Sequence, residues 1–152
     1  MKKLTLFVLL TAFSFSVKAQ FSVNYYYDGN TLGISTSQAQ KHWWEFRVNT
    51  TSYIHSPWSY ADRGITQAYY CFKLVDEGKA DLYAGLGAGF PLLSSENGWG
   101  SINVPLGIQM NPFNALPNLY LVGEYNAMAV VTEDFELINT LSLGFKYLFE
   151  KD

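Results

Sequence analysis

The chain has 152 residues, of which 49% are apolar, 17% aromatic and 15% charged, with a formal net charge of −3. The length suits one domain, and so much burial-competent surface excludes disorder. Ten Lys and Arg against thirteen Asp and Glu lack the basic footprint of a nucleic-acid binder.

Residues 1–19 open on Lys2 and Lys3, continue through an apolar stretch at 4–17 and end in Ala19. This is the order of a secretory signal peptide, so residues 20–152 are expected to form the mature domain. The apolar stretch is shorter than the ~20 residues a membrane-spanning helix needs. Cleavage would remove Lys2, Lys3 and Lys18 and no acid, leaving seven basic and thirteen acidic residues, a net charge of −6. The one cysteine, Cys71, allows no internal disulfide. An exported chain of this kind holds itself together by burial or by closing a sheet. Cys71 itself is expected as a small buried apolar residue.

The mature chain then reads as eight alternating segments. Residues 21–27 and 31–37 flank a turn signal at 28–30. In 43–54, Trp44, Phe46 and Val48 oppose Glu45, Arg47 and Asn49, and in 64–75, Ala68, Tyr70, Phe72 and Leu74 oppose Gln67, Cys71 and Lys73. Segment 81–92 sets Leu82, Ala84, Leu86, Ala88 and Phe90 against Tyr83, Gly85, Gly87 and Gly89. Segment 99–110 sets Ile102, Val104, Leu106, Ile108 and Met110 against Ser101, Asn103, Pro105, Gly107 and Gln109. In 118–131, Leu119, Leu121, Tyr125 and Ala127 face away from Glu124 and Asn126. The clearest case is 136–149, where Leu137, Leu141, Leu143, Phe145, Tyr147 and Phe149 share a parity broken only by Asn139. A strand sends the two parities to opposite faces.

Breakers at 76–80, 94–98 and 111–117 leave connections too short for parallel crossovers. The expectation is an all-β fold of eight antiparallel strands in up-and-down order, closed into a barrel that leaves no bare edge. Which face is wet follows from the polar parity. It holds mostly Gly, Ser, Asn, Thr and Gln, whereas a soluble exterior is typically ~25–35% charged. A lipocalin-like barrel would be apolar inside. The sparse charge instead predicts a polar interior and an apolar outer wall, the distribution of a transmembrane β-barrel.

With the signal segment, the eight alternating segments and the closing run at 143–149, the chain resembles the small eight-stranded outer-membrane β-barrels of Gram-negative bacteria, the OmpX-like and OmpA N-domain-like class. The junction of Ala19 and Gln20 also resembles export signals common in Bacteroidetes. Members of that class end in a strand of alternating aromatics with a terminal Phe; this chain adds Glu150, Lys151 and Asp152 after Phe149. The resemblance implies an outer-membrane address and periplasmic termini. Residues 28–30, 55–63, 93–98 and 132–135 would then face outside, and 38–42, 76–80 and 111–117 the periplasm. Trp43, Trp44, Tyr147 and Phe149 are thereby expected in an inner aromatic girdle, and Trp58, Tyr60 and Trp99 in an outer one.

Six inward charges, Glu45, Arg47, Lys73, Asp81, Glu124 and Lys146, number three acids and three bases. All but Glu124 are expected toward the periplasmic half. A balanced set in a narrow interior is expected to pair into a structural plug, because isolated buried charges are strongly unfavourable; an ion or proton path is the functional alternative. Gly85, Gly87 and Gly89 lack the spacing and the following helix of a phosphate loop. They read as small inward residues making room for Tyr69 or Tyr83.

For chemistry, only His42 and His55 offer a general base. His55 precedes Ser56 in the loop that carries Asp62, but neighbours on an extended chain point opposite ways. No catalytic, cofactor-binding or metal-binding residue is assigned. The acids Asp28, Asp62, Glu96, Glu133 and Asp134 of the outer loops face Arg63 alone, a rim that would suit divalent cations or a basic partner. The expected role is a non-enzymatic envelope barrel, structural or accessory to a larger complex met through its wall. Outer-membrane lipid and lipopolysaccharide are its expected surroundings. A surface binder acting through residues 55–63 and a lipid A-modifying enzyme are the alternatives.

Overall fold

The computed structural model describes residues 21–27, 30–36, 41–49, 65–91, 100–131 and 135–149. Within them lie β1 (Phe21–Tyr26), β2 (Thr31–Thr36), β3 (His42–Asn49), β4 (Ile65–Asp76), β5 (Ala80–Pro91), β6 (Gly100–Met110), β7 (Leu119–Val131) and β8 (Phe135–Phe149). Each strand pairs antiparallel with the next, and β1 pairs with β8, so the sheet closes into an eight-stranded barrel. The expected all-β barrel of eight antiparallel strands in up-and-down order is the one the chain adopts. The signal segment and residues 50–54, expected to extend the third strand, lie outside the described residues.

The period-two pattern assigns side chains to the two faces of this ring. Along β6, Ser101, Asn103, Pro105, Gly107 and Gln109 are buried while Ile102, Val104, Leu106, Ile108 and Met110 are exposed. Phe21, Val23 and Tyr25 on β1, Trp44, Phe46 and Val48 on β3, and Leu141, Leu143 and Phe145 on β8 are exposed likewise. Ser22, Asn24, Ser35, Glu45, Arg47, Glu124 and Lys146 point into the barrel and are buried. The interior is therefore polar at many positions, with a hydrophobic cluster of Tyr26, Trp43, Tyr69, Cys71, Tyr83 and Val122. Met128 and Val130 form a second apolar cluster, with Ile138 against it.

Short connections define one end of the barrel, called the lower end below. Between β4 and β5 the chain turns through Gly78 at φ +69°, a left-handed conformation that favours glycine. The link between β6 and β7 is organised by Asn111, whose Oδ1 accepts from the Phe113 N–H at 3.0 Å and whose Nδ2 donates to the Leu116 carbonyl at 3.2 Å. This use of an Asn side chain to mimic backbone turns is common.

Two places depart from simple alternation. The β4–β5 register shifts between Lys73 and Val75, so Leu74 and Val75 are both exposed in succession. A bulge of this kind re-aims the flanking side chains. The β5–β6 ladder also skips from Ala84↔Leu106 to Gly87↔Asn103, past Pro105, which has no N–H to donate.

Candidate functional site

Among the described residues, the larger concentration of chemically capable side chains is in the middle of the barrel interior, around Arg47. Alternation on β3 points Glu45 and Arg47 the same way, two residues apart, and β7 delivers Glu124 from the far side. The guanidinium donates from Nε to Glu45 Oε1 at 2.7 Å, from Nη1 to Glu124 Oε1 at 2.6 Å and from Nη2 to Glu124 Oε2 at 2.7 Å. Its Nη2 also donates to the Tyr26 hydroxyl at 3.0 Å. The rings of Tyr26 and Tyr69 sit on the guanidinium carbon, each centroid 4.3 Å away. A planar cation suits both the paired carboxylate bonds and this stacking, as an ammonium would not.

The carboxylates are saturated from other directions. Tyr26 donates to Glu45 at 2.8 Å, Tyr83 donates to Glu124 at 2.6 Å, and the Trp43 indole N–H reaches Glu45 at 3.4 Å. Lys146 Nζ lies 3.8 Å from Glu45 Oε2 and 5.3 Å from the Trp43 ring centroid. Two acids and two bases thus share one buried cluster, and the formal charge cancels.

Lys73 and Asp81 form a separate group at the lower end. Lys73 Nζ bridges Asp81 at 3.0 Å and Asp76 at 3.2 Å, and Gln109 donates to Asp81 Oδ2 at 2.9 Å. Among the described residues, Asp81 Oδ1 and Gln109 Oε1 have no hydrogen-bond donor. The six inward charges therefore assemble as four and two. Glu124, expected apart from the others, is instead gripped by Arg47 at the same level. Counting residues from strand ends misjudges level, because neighbouring strands in a tilted barrel are staggered.

The glycines fit around the tyrosines. A Cβ on Gly87 would strike the Tyr69 ring, and one on Gly107 the Tyr83 ring. Gly85 instead abuts Cys71 Sγ, 2.9 Å from where its Cβ would stand. Room for Tyr83 thus comes from β6, not from the glycines beside it on β5.

One girdle assignment is corrected. Trp43 is 1% exposed and faces inward, while Trp44 is 51% exposed on the outer wall. Successive residues of a strand take opposite faces, so the two tryptophans cannot share one. The polar interior holds Trp43 by its indole N–H and by the Lys146 ammonium. Tyr147 and Phe149 do lie on the outer wall at the lower end, their rings 4.8 Å apart, and Phe149 stacks on Phe21 at 4.7 Å. Trp58, Tyr60, Trp99, His55, Ser56, Asp62 and the outer-loop acids lie outside the described residues.

Parity places Tyr26, Tyr69 and Tyr83 on the inward face but does not mark them as members of the charge network. Aromatic size hid them: the phenol hydroxyl is the functional part, and only proximity to a charge reveals it. His42 is exposed at the start of β3, its ring 6.2 Å from that of Tyr70. Among the described residues, no group of three His, Cys, Asp or Glu side chains gathers to hold a metal ion. No protein-family model matches the chain, and no curated protein matches it either.

Proposed function

We propose that this chain is a small, non-enzymatic integral outer-membrane β-barrel, exported by residues 1–19, that serves as a structural element or accessory subunit of a larger envelope complex. The observation that carries this reading is the inverted polarity of the wall. Large apolar side chains such as Leu86, Leu143 and Phe145 stand more than half exposed, while Glu45, Arg47, Glu124 and Lys146 are buried. In water each such outward side chain forgoes about 1.5–3 kcal/mol of burial. A hydrocarbon surround removes that penalty, and its contiguity around the ring far exceeds the isolated patches of soluble monomers.

The filled interior supports a structural role over conduction. Arg47, Trp43, Tyr69 and Tyr83 occupy the lumen, and Glu45, Glu124 and Asn126 supply their hydrogen-bond partners there. Outer-membrane lipid and lipopolysaccharide are the immediate partners in this reading, and a protein partner would be met through the wall.

Fractionation of cells expressing the full chain tests the proposal. The protein is expected in the outer-membrane fraction, with migration in SDS gels that changes on boiling. Recovery as a soluble periplasmic protein would overturn it.

A further inference from the structure

Asp76, Asp81, Gln109, Val122 and Gly144 form one rung of the wall at the lower end, each the ladder partner of the next on β4 to β8. The rung is rich in acceptors and poor in donors. A carboxylate only accepts, and an amide offers one accepting oxygen beside its N–H groups. Val122 and Gly144 bring no polar side chain. Gln109 Nε2 and Lys73 Nζ both donate to the same atom, Asp81 Oδ2, at 2.9 and 3.0 Å. Asp81 Oδ1 and Gln109 Oε1 are thereby left without a donor, although Asp81 is 6% exposed and Gln109 1%.

Buried polar atoms are almost always paired, so two unpaired oxygens on neighbouring strands require an occupant. Among the described residues, every buried side-chain polar atom without a partner is an oxygen acceptor, Asn126 Oδ1 being the other. What the rung lacks is positive charge. In the central cluster two acids meet two bases. Here Lys73 is shared between Asp81 and Asp76, so one ammonium serves two carboxylates. We propose that the lower end of the barrel holds a small monovalent cation of the sodium class, bound by Asp81 Oδ1 and Gln109 Oε1 with water completing its shell.

Charge and ligand number set this class. A single positive charge balances the excess acid. A divalent ion such as calcium takes about 6–8 oxygen ligands, several of them carboxylates, and no group of three His, Cys, Asp or Glu side chains gathers among the described residues. Water alone would offer donors but leave two acids on one ammonium. The site is reachable, because the Asp76 side chain is 62% exposed at the mouth. Lys41, Glu77 and Lys79 nearby are solvent-exposed, and Lys79 Nζ is turned to Asn114 at 2.8 Å. Above the site, Tyr83 is the next inward residue of β5 and packs edge-on against Trp43, ring centroids 5.4 Å apart. The cation is therefore held at the mouth instead of passing along the lumen. Nothing in this geometry needs lipid around the wall, so the inference stands apart from the outer-membrane reading.

The test uses the full-length protein folded in a zwitterionic detergent, with sodium chloride replacing choline chloride at constant ionic strength. Sodium is expected to raise the thermal midpoint and to saturate, as a ligand of the folded state does. Asp81→Asn is expected to abolish the dependence. Lys73→Met removes the neighbouring ammonium and is expected to lower the half-saturating sodium concentration roughly tenfold. A midpoint that sodium leaves unchanged, or a sodium response that survives Asp81→Asn, would overturn the inference. So would calcium acting at far lower concentration than sodium. A second reading does not depend on how the variants fold. Crystals of the unaltered protein soaked in thallium(I), a strongly scattering monovalent ion, are expected to show an anomalous peak in contact with both oxygens. Water alone at that place, or an adventitious ion only, seated elsewhere, counts against the site.

Discussion

Arg47 and Glu124, 77 positions apart in the chain, meet inside the barrel through two hydrogen bonds of 2.6 and 2.7 Å. The pair ties β3 to β7 across the lumen, where no backbone ladder connects them. Side chains thus brace the interior in a direction that the sheet cannot.

Breaking this brace from one side leaves two carboxylates buried without their main cation. Arg47→Ala is expected to destabilise the barrel by about 3–5 kcal/mol. Replacing the pair together, Arg47→Met with Glu124→Gln, keeps Glu45 beside Lys146 and removes most of that loss because no naked charge remains. Denaturant titration of the purified protein separates the two outcomes. An Arg47→Ala variant as stable as the parent would show that the pairing contributes nothing net.

Packing against the interior tyrosines makes a contrasting pair of glycine substitutions. Gly107→Ala drives a methyl group into the Tyr83 ring and is expected to destabilise by about 1–3 kcal/mol. Gly123→Ala faces outward, with its nearest atoms at 3.7 Å, and is expected to stay within about 0.5 kcal/mol of the parent. Thermal midpoints measured side by side test the difference.

The two adjacent tryptophans report opposite environments. In variants retaining only one tryptophan and reconstituted in lipid, Trp44 fluorescence is expected to be quenched by brominated acyl chains and Trp43 fluorescence to be spared. Equal quenching of both would contradict the inward placement of Trp43.

Cys71 is fully buried beside Gly85 and Pro105 and carries no partner thiol. A water-soluble disulfide reagent is expected to leave it unmodified in the folded protein and to titrate one thiol per chain after unfolding in denaturant. Rapid modification of the native protein would mean that the lumen admits solutes to its core.

Much of the architecture was written in parity. β6 and β8 could be assigned face by face from alternation, and the turn signals at 76–80 and 111–117 lie where the chain reverses. Alternation is a local rule, however, and fails where the backbone adds a residue. The bulge after Lys73 turns Val75 outward and brings Asp76 and Asp81 to one ammonium. The upper part of β7 was less legible, because Met128 and Val130 are apolar on the inward parity. What lay beyond reach was contact across the lumen. Parity says that Arg47 and Glu124 both point inward; only the stagger of the strands decides that they meet. The phenols of Tyr26 and Tyr83 entered the network for the same reason.

Closure of the ring also has a consequence in time. Phe21 and Ser22 find their ladder partners in Phe149 and Leu148, at opposite ends of the folded domain. The earliest strand to be synthesised must therefore wait, unpaired on one side, until the latest arrives. Contacts of such long sequence separation form slowly, and waiting edges invite wrong neighbours. Such a chain needs to be shielded between synthesis and closure, and its last few residues decide when that shielding can end.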